Sequence, residues 1–304
     1  SYLNKLNPAN NNEYNLWKAT KYLNRAQKRN IPIKDLNNSW CRSDSSKAAA
    51  FKTFLEETFT PFSFCSQQEA TEINNFLDVA CQMRRPIKHF TVREVDREVK
   101  KLNPKKSPGS DHIDANVIKS LPKKGIVFLT TLFNSVLRLT YFPTQWKLAK
   151  VIMVPKPNKP ENYISSYRPI SLIPIFSKLF ERLLQKRLFP ILEALHVLPD
   201  HQFGFRQDHG TPEQCHRVVK TIRDALENQL YCCSVFLDVK QAFDRVWHNG
   251  LLFKLKNILP TPFYLLLESY LNGRIFFVNI NDEDSAIVLI KSGVSEGRVF
   301  GPVL

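Results

Sequence analysis

The stretch best equipped for chemistry is YCCSVFLDVKQAFDRVWH, Tyr231 to His248. The apolar run Cys232 to Leu237 is long enough for one buried strand, and it ends on a carboxylate, Asp238. A charge at the tip of a buried strand is costly unless something neutralises it. A divalent cation would serve, and so would an arginine or a capping role; the pattern alone leaves these open. Ala242, Phe243, Asp244 and Arg245 follow. The Phe243 ring, a few residues past the acid, is placed to floor a pocket beside a metal ion.

The whole chain must be able to position such a site. With 304 residues and a 43% apolar share, it can bury a real core, as two domains or as one domain with an extension. Its 43 basic and 28 acidic side chains leave a net charge of +15. That excess points to a polyanion, nucleic acid first, with affinity falling steeply as salt rises. The bland alternative is a soluble basic protein. The six cysteines include no CxxC pair, which argues against zinc. Cys232 and Cys233 read as small hydrophobes of the expected strand and fit a reducing compartment. His201, His209 and His216 lack metal-ligand spacing. No apolar run reaches membrane-spanning length and no signal peptide precedes the fold, so an intracellular place, nucleus and cytoplasm, is expected.

Periodicity supplies the elements. Trp17, Tyr22 and Leu23 suit one amphipathic helix, and Phe51, Phe54 and Leu55 another. Thr91 and Glu94 form a capping box for a helix running to about Leu102. The loop NPKKSPGSD comes next, rich in proline and lysine. Phe128 to Leu139 and Phe176 to Leu192 have the helical period, and Lys178, Glu181, Arg182, Lys186 and Arg187 fill the polar side of the second. Between them Lys150 to Val154 alternates as a strand, and PKPNKPENYISSYRP reads as a hairpin tip. Gly204, between two phenylalanines, suggests a tight backbone approach. Thr211, Pro212 and Gln214 open a further helix. HNGLLFKLKNILP and PFYLLLESYLNG read as two more, and RIFFVNI with AIVLIK as a hairpin. The expected fold class is α+β.

FLDVKQAFDRVWH resembles the first catalytic motif of reverse transcriptases from non-LTR retrotransposons of the jockey type. YRPISL, QFGFR with Thr211, and KKSPGSDHID resemble further phrases of that family. The resemblance implies a right-hand polymerase, fingers and partial palm, behind a helical N-terminal extension. It implies RNA-directed DNA synthesis with an RNA template, a DNA primer, dNTPs and two Mg²⁺ ions. Asp238 and the Val239 carbonyl would hold metal, and Phe243 would exclude ribonucleotides. Arg168 would grip the triphosphate, helped by Lys156 or Lys159; a guanidinium does this bidentately. Lys105, Lys106 and Arg206 would touch template or primer backbone, though an ordinary charged loop explains the lysines equally well.

SGVSEGRVFGP resembles the family's GVPQGSVLGP, whose start packs on the bound nucleotide. Gly293 and Gly297 match, whereas Glu296 puts an anion where an amide is expected near a triphosphate. The resemblance divides the chain into an extension over residues 1–90, fingers and start of palm over 91–230, and partial palm over 231–304. It places an endonuclease upstream in the parent polyprotein. The family's second carboxylate pair, in a YxDD hairpin, lies downstream of the last motif. The chain is therefore expected to be a truncated and inactive fragment, with a nucleic-acid-binding remnant as the alternative.

Overall fold

The computed structural model describes residues 30–62, 66–82, 85–197, 199–204, 206, 209–239 and 241–294. Strands β1 (Ile33–Lys34) and β2 (Trp40–Cys41) come first. Helices α1 (Asp44–Thr58), α2 (Gln67–Asp78), α3 (Val92–Lys100), α4 (Ala115–Lys119) and α5 (Lys123–Leu139) follow. Then come strands β3 (Leu148–Pro155) and β4 (Tyr167–Leu172), and helices α6 (Ile175–Ala194), α7 (Thr211–Glu227), α8 (His248–Ile258) and α9 (Thr261–Leu271). Strands β5 (Ile275–Ile280), β6 (Glu283–Asp284) and β7 (Val288–Leu289) close the described chain. The fold is mixed α and β. The helix expected around Trp17 lies outside the described residues.

β3 is the centre of the main sheet. It runs antiparallel to β4, with Lys150 opposite Leu172 and Val154 opposite Arg168, and parallel to β5, with Val151 opposite Val278. Side chains alternate across a strand, so the sheet has two distinct faces. Ala149, Val151, Phe276 and Val278 are fully buried on one face, where Phe51, Leu55 and Phe59 of α1 and Ile33 of β1 cover them. Lys150, Ile152, Val154, Arg168, Ile170 and Leu172 share the other face, which stays partly or fully open.

A second core lies among the helices. Phe133, Phe142, Trp146, Phe180 and Tyr270 meet mostly edge-on, with ring centroids 5.0–5.9 Å apart. α3 starts on the expected capping box, Thr91 with Glu94. The same Glu94 carboxylate accepts two bonds from Arg187 Nη2, at 2.7 and 2.9 Å, tying α3 to α6. Lys256 of α8 donates to the carbonyls of Phe76, Leu77 and Val79 at 2.8, 2.9 and 2.6 Å. Its ammonium thereby satisfies the C-terminal end of α2 and fastens that helix to α8.

One expectation fails. Cys232 to Leu237 is neither strand nor buried: the segment 231–239 is irregular, and Phe236 and Leu237 are 86% and 91% exposed. Cys232 and Cys233 are exposed too, not small core hydrophobes. The reason is a missing ladder. A strand's N–H and C=O groups need neighbours, and both sides of β3 are already taken by β4 and β5. No described strand pairs with 231–239.

Candidate functional site

The turn after Asp238 is held by a backbone clasp. Gly293 N–H donates to the Val246 carbonyl at 2.8 Å, and Val294 N–H donates to the Phe243 carbonyl at 2.8 Å. Ser292 Oγ donates to the Asp244 carbonyl at 3.0 Å, and Trp247 pairs with Ser292 as an antiparallel bridge. His248 Nε2 lies 3.0 Å from the Gly293 carbonyl, buried at the start of α8. Burial holds this imidazole below its ordinary pKa; the Arg274 charge adds to the effect and the Gly293 bond opposes it. Two stretches about fifty residues apart in the sequence are thus locked together. Gly293 sits at φ +91°, and a Cβ there would run into the Asp244 carbonyl, so only glycine fits.

Phe243 is half-buried and packs on the helical core. Arg245 donates from Nε to Gln241 Oε1 at 3.0 Å and stacks 4.5 Å over the Phe62 ring. Asp238 is exposed and has no ion pair among the described residues, so no arginine neutralises it. Its carboxylate and the Val239 carbonyl are hard oxygen donors of the kind Mg²⁺ takes. No group of three or more His, Cys, Asp or Glu side chains converges anywhere among the described residues. The donors that are described therefore fit part of a metal site.

Arg168 stands exposed on the open face of the sheet, two residues from Ile170 and four from Leu172. Lys150 shares that face. Lys156 Nζ donates to the Ser165 carbonyl at 2.8 Å within the hairpin, while Lys159 lies exposed at its tip. At the other end of β4 a cleft of about 580 Å³ opens between the 103–114 loop and the start of α6. Lys105 and Lys106 line it from the loop, and Lys178 and Arg182 from α6.

The reverse transcriptase (RNA-dependent DNA polymerase) family profile matches residues 154–304. The probable RNA-directed DNA polymerase from transposon X-element of Drosophila melanogaster is 45% identical over 291 residues, 96% of this chain and 32% of that protein. The corresponding protein from transposon BS of the same fly is 43% identical over 291 residues, again 96% and 32%. The RNA-directed DNA polymerase from mobile element jockey of D. melanogaster is 40% identical over 304 residues, 100% of this chain and 33% of the relative. This chain is a member of the reverse transcriptase family. It spans about a third of the length of these relatives.

For a reverse transcriptase chain, the expected site residues fall into three places. Phe243 and Gly293 meet in the clasp, and Asp238 with Val239 precede it on the exposed segment. Arg168, Lys156 and Lys159 belong to the β3–β4 hairpin and the open sheet face. Lys105 and Lys106 line the cleft. Arg206 is turned into its own loop, 3.3 Å from the Pro199 carbonyl and 3.8 Å from Asp200 Oδ1. Glu296 and Gly297 lie outside the described residues. Lys178 and Arg182 were passed over as helix surface. Their signal was present: two cations at i, i+4 on one helix stack on one face, and nothing of opposite charge sits between them there.

No described helix is long and apolar enough to cross a membrane.

Proposed function

We propose that this chain is the nucleotide- and template-binding part of an RNA-directed DNA polymerase of a non-LTR retrotransposon, the activity printed for its relatives. The observation that carries this reading is the clasp, which fixes Phe243 against the turn at Gly293. In this reading the Phe243 ring crowds a ribose 2′-hydroxyl, and Gly293 and Gly297 let backbone approach the nucleotide. Arg168 takes triphosphate oxygens, with Lys156 and Lys159 near the hairpin tip. Arg206, once released from its loop, and Lys105 and Lys106 meet backbone phosphates. Asp238 and the Val239 carbonyl hold Mg²⁺, which supplies charge neutralisation of the phosphates when bound. Two-metal phosphoryl transfer draws on two or three carboxylates, and Asp238 is one, so the isolated chain binds substrates without extending a primer.

Photocrosslinking of a radiolabelled deoxynucleotide to the chain tests this. Crosslinking is expected to require Mg²⁺ and to fall at least about tenfold in Arg168→Ala, the loss of one charge-assisted phosphate grip. Phe243→Ala is expected to admit the ribonucleotide as well. Metal-independent labelling, unchanged by Arg168→Ala, would refute the reading. A second reading, nucleic-acid binding without nucleotide chemistry, is favoured by the exposed and irregular setting of Asp238; it predicts RNA binding that ignores Mg²⁺.

A further inference from the structure

Four cations share the cleft between the 103–114 loop and α6: Lys105, Lys106, Lys178 and Arg182. None of their side chains has a hydrogen bond or ion pair among the described residues. The acid that lines the cleft, Asp114, is engaged as the cap of α4, accepting from Asn116 and Val117 N–H at 2.9 and 3.0 Å. α6 starts at this cleft, at Ile175, and no side chain caps its first turn. Its free N–H groups and dipole add to the positive field. Burial, with the charge of Lys106 next and that of Arg182 last, holds Lys178 below its ordinary pKa against the opposing pull of Glu181 and Asp111. Cations kept together and partly desolvated without an acid are costly unless an anion completes them.

We infer that this cleft is a phosphate site on the path of a single strand of nucleic acid, gripped by Lys178 and Arg182 from α6 and covered by Lys105 and Lys106 from the loop. The strand is favoured over a lone anion by continuity. Ile170 and Leu172 line the cleft and also belong to the open sheet face that carries Arg168. Leu172 lies about 13 Å along β4 from Arg168, at roughly 3.3 Å per residue. A strand of a few nucleotides spans that gap, and a free phosphate does not. The inference rests on the polymerase reading for its ligand and adds to it two residues and a course for the strand.

The test is fluorescence anisotropy of the full chain with a short unstructured RNA, across roughly 50–200 mM salt. Lys178→Ala/Arg182→Ala is expected to weaken binding about tenfold and to reduce the salt slope by about 2, one per lost phosphate contact. Lys105→Glu/Lys106→Glu, on exposed side chains that leave α6 intact, is expected to do the same or more. Lys123→Ala/Lys124→Ala, which removes equal charge from the exposed start of α5, is expected to change little. Single-stranded DNA should show the same pattern, because phosphate is common to both. Equal losses in all three pairs, or none in the cleft pairs, would overturn the site while leaving the polymerase reading in place. A flat salt slope for the unaltered chain would overturn both. Inorganic phosphate that raises the melting temperature of the unaltered chain, but not of Lys178→Ala/Arg182→Ala, as much as RNA does would overturn the strand assignment.

Discussion

Gly109 has no room for a methyl group. A Cβ there would lie 2.6 Å from Ile173 C and Pro174 N, at the junction of β4 and α6. No left-handed backbone is involved, so the demand is purely steric. Gly109→Ala must lift the lysine loop off that junction, at a cost of about 1–3 kcal/mol. Urea unfolding would show it as a lower midpoint, and RNA affinity should fall with it. Gly204 is the contrast: a Cβ there meets only the Gln202 amide, at 3.5 Å. Gly204→Ala should stay within about 0.5 kcal/mol. The sequence singled out the wrong glycine, because flanking aromatics say nothing about which distant backbone passes close by. His248 carries a pH prediction. Its folded-state pKa lies below the ordinary value of about 6.5, so below pH 6.5 the unfolded chain binds the proton more readily. The stability it contributes is complete above that pH and is lost as pH falls toward the folded-state pKa. The melting temperature should drop on acidification through this window, and less steeply in His248→Gln.

At the scale of elements, helices were legible and the key strand was not. The period of Phe128 to Leu139 and of Phe176 to Leu192 reports a local property, and α5 and α6 follow it with Phe133 and Phe180 fully buried. The Thr91 capping box is equally local. Cys232 to Leu237 has the composition of a buried strand, yet a strand exists only where another offers its edge, and that is a fact about distant residues. The difference has a measurable size. Phe133→Ala opens a cavity among Trp146, Phe180 and their neighbours and should cost about 3–5 kcal/mol. Phe236→Ser removes a ring that water already surrounds and should cost under about 0.5 kcal/mol. Chemical denaturation of the two variants checks both. Equal losses would mean that 231–239 is packed in solution, and the exposed setting of Asp238 would have to be given up.

Across the whole molecule, the two cores depend on parts of the chain that the motifs do not mark. Composition announced a basic, core-forming protein, and the charge of +15 is unevenly spent: Lys186, Arg187 and Lys256 serve contacts inside the fold, while the cleft cations do not. The motifs begin near residue 91, but contacts reach well before it. Ile33, Phe51, Leu55 and Phe59 form one wall of the sheet core, each no more than 3% exposed. Burying four such side chains contributes about 2 kcal/mol each, roughly 8 kcal/mol in all. A domain of this kind has about 5–15 kcal/mol of net stability. A chain begun at Thr91 would leave Ala149, Val151, Phe276 and Val278 facing water on the side that α1 covers, and would also lose α2 from the carbonyl clamp of Lys256. Such a chain is expected to aggregate, or to lose its near-UV circular dichroism and melt without a cooperative transition, although every motif that resembles the polymerase family is still present. A sharp transition and an unchanged near-UV spectrum would show that the sheet holds its face without α1. The sequence before residue 91 would then be dispensable to the site.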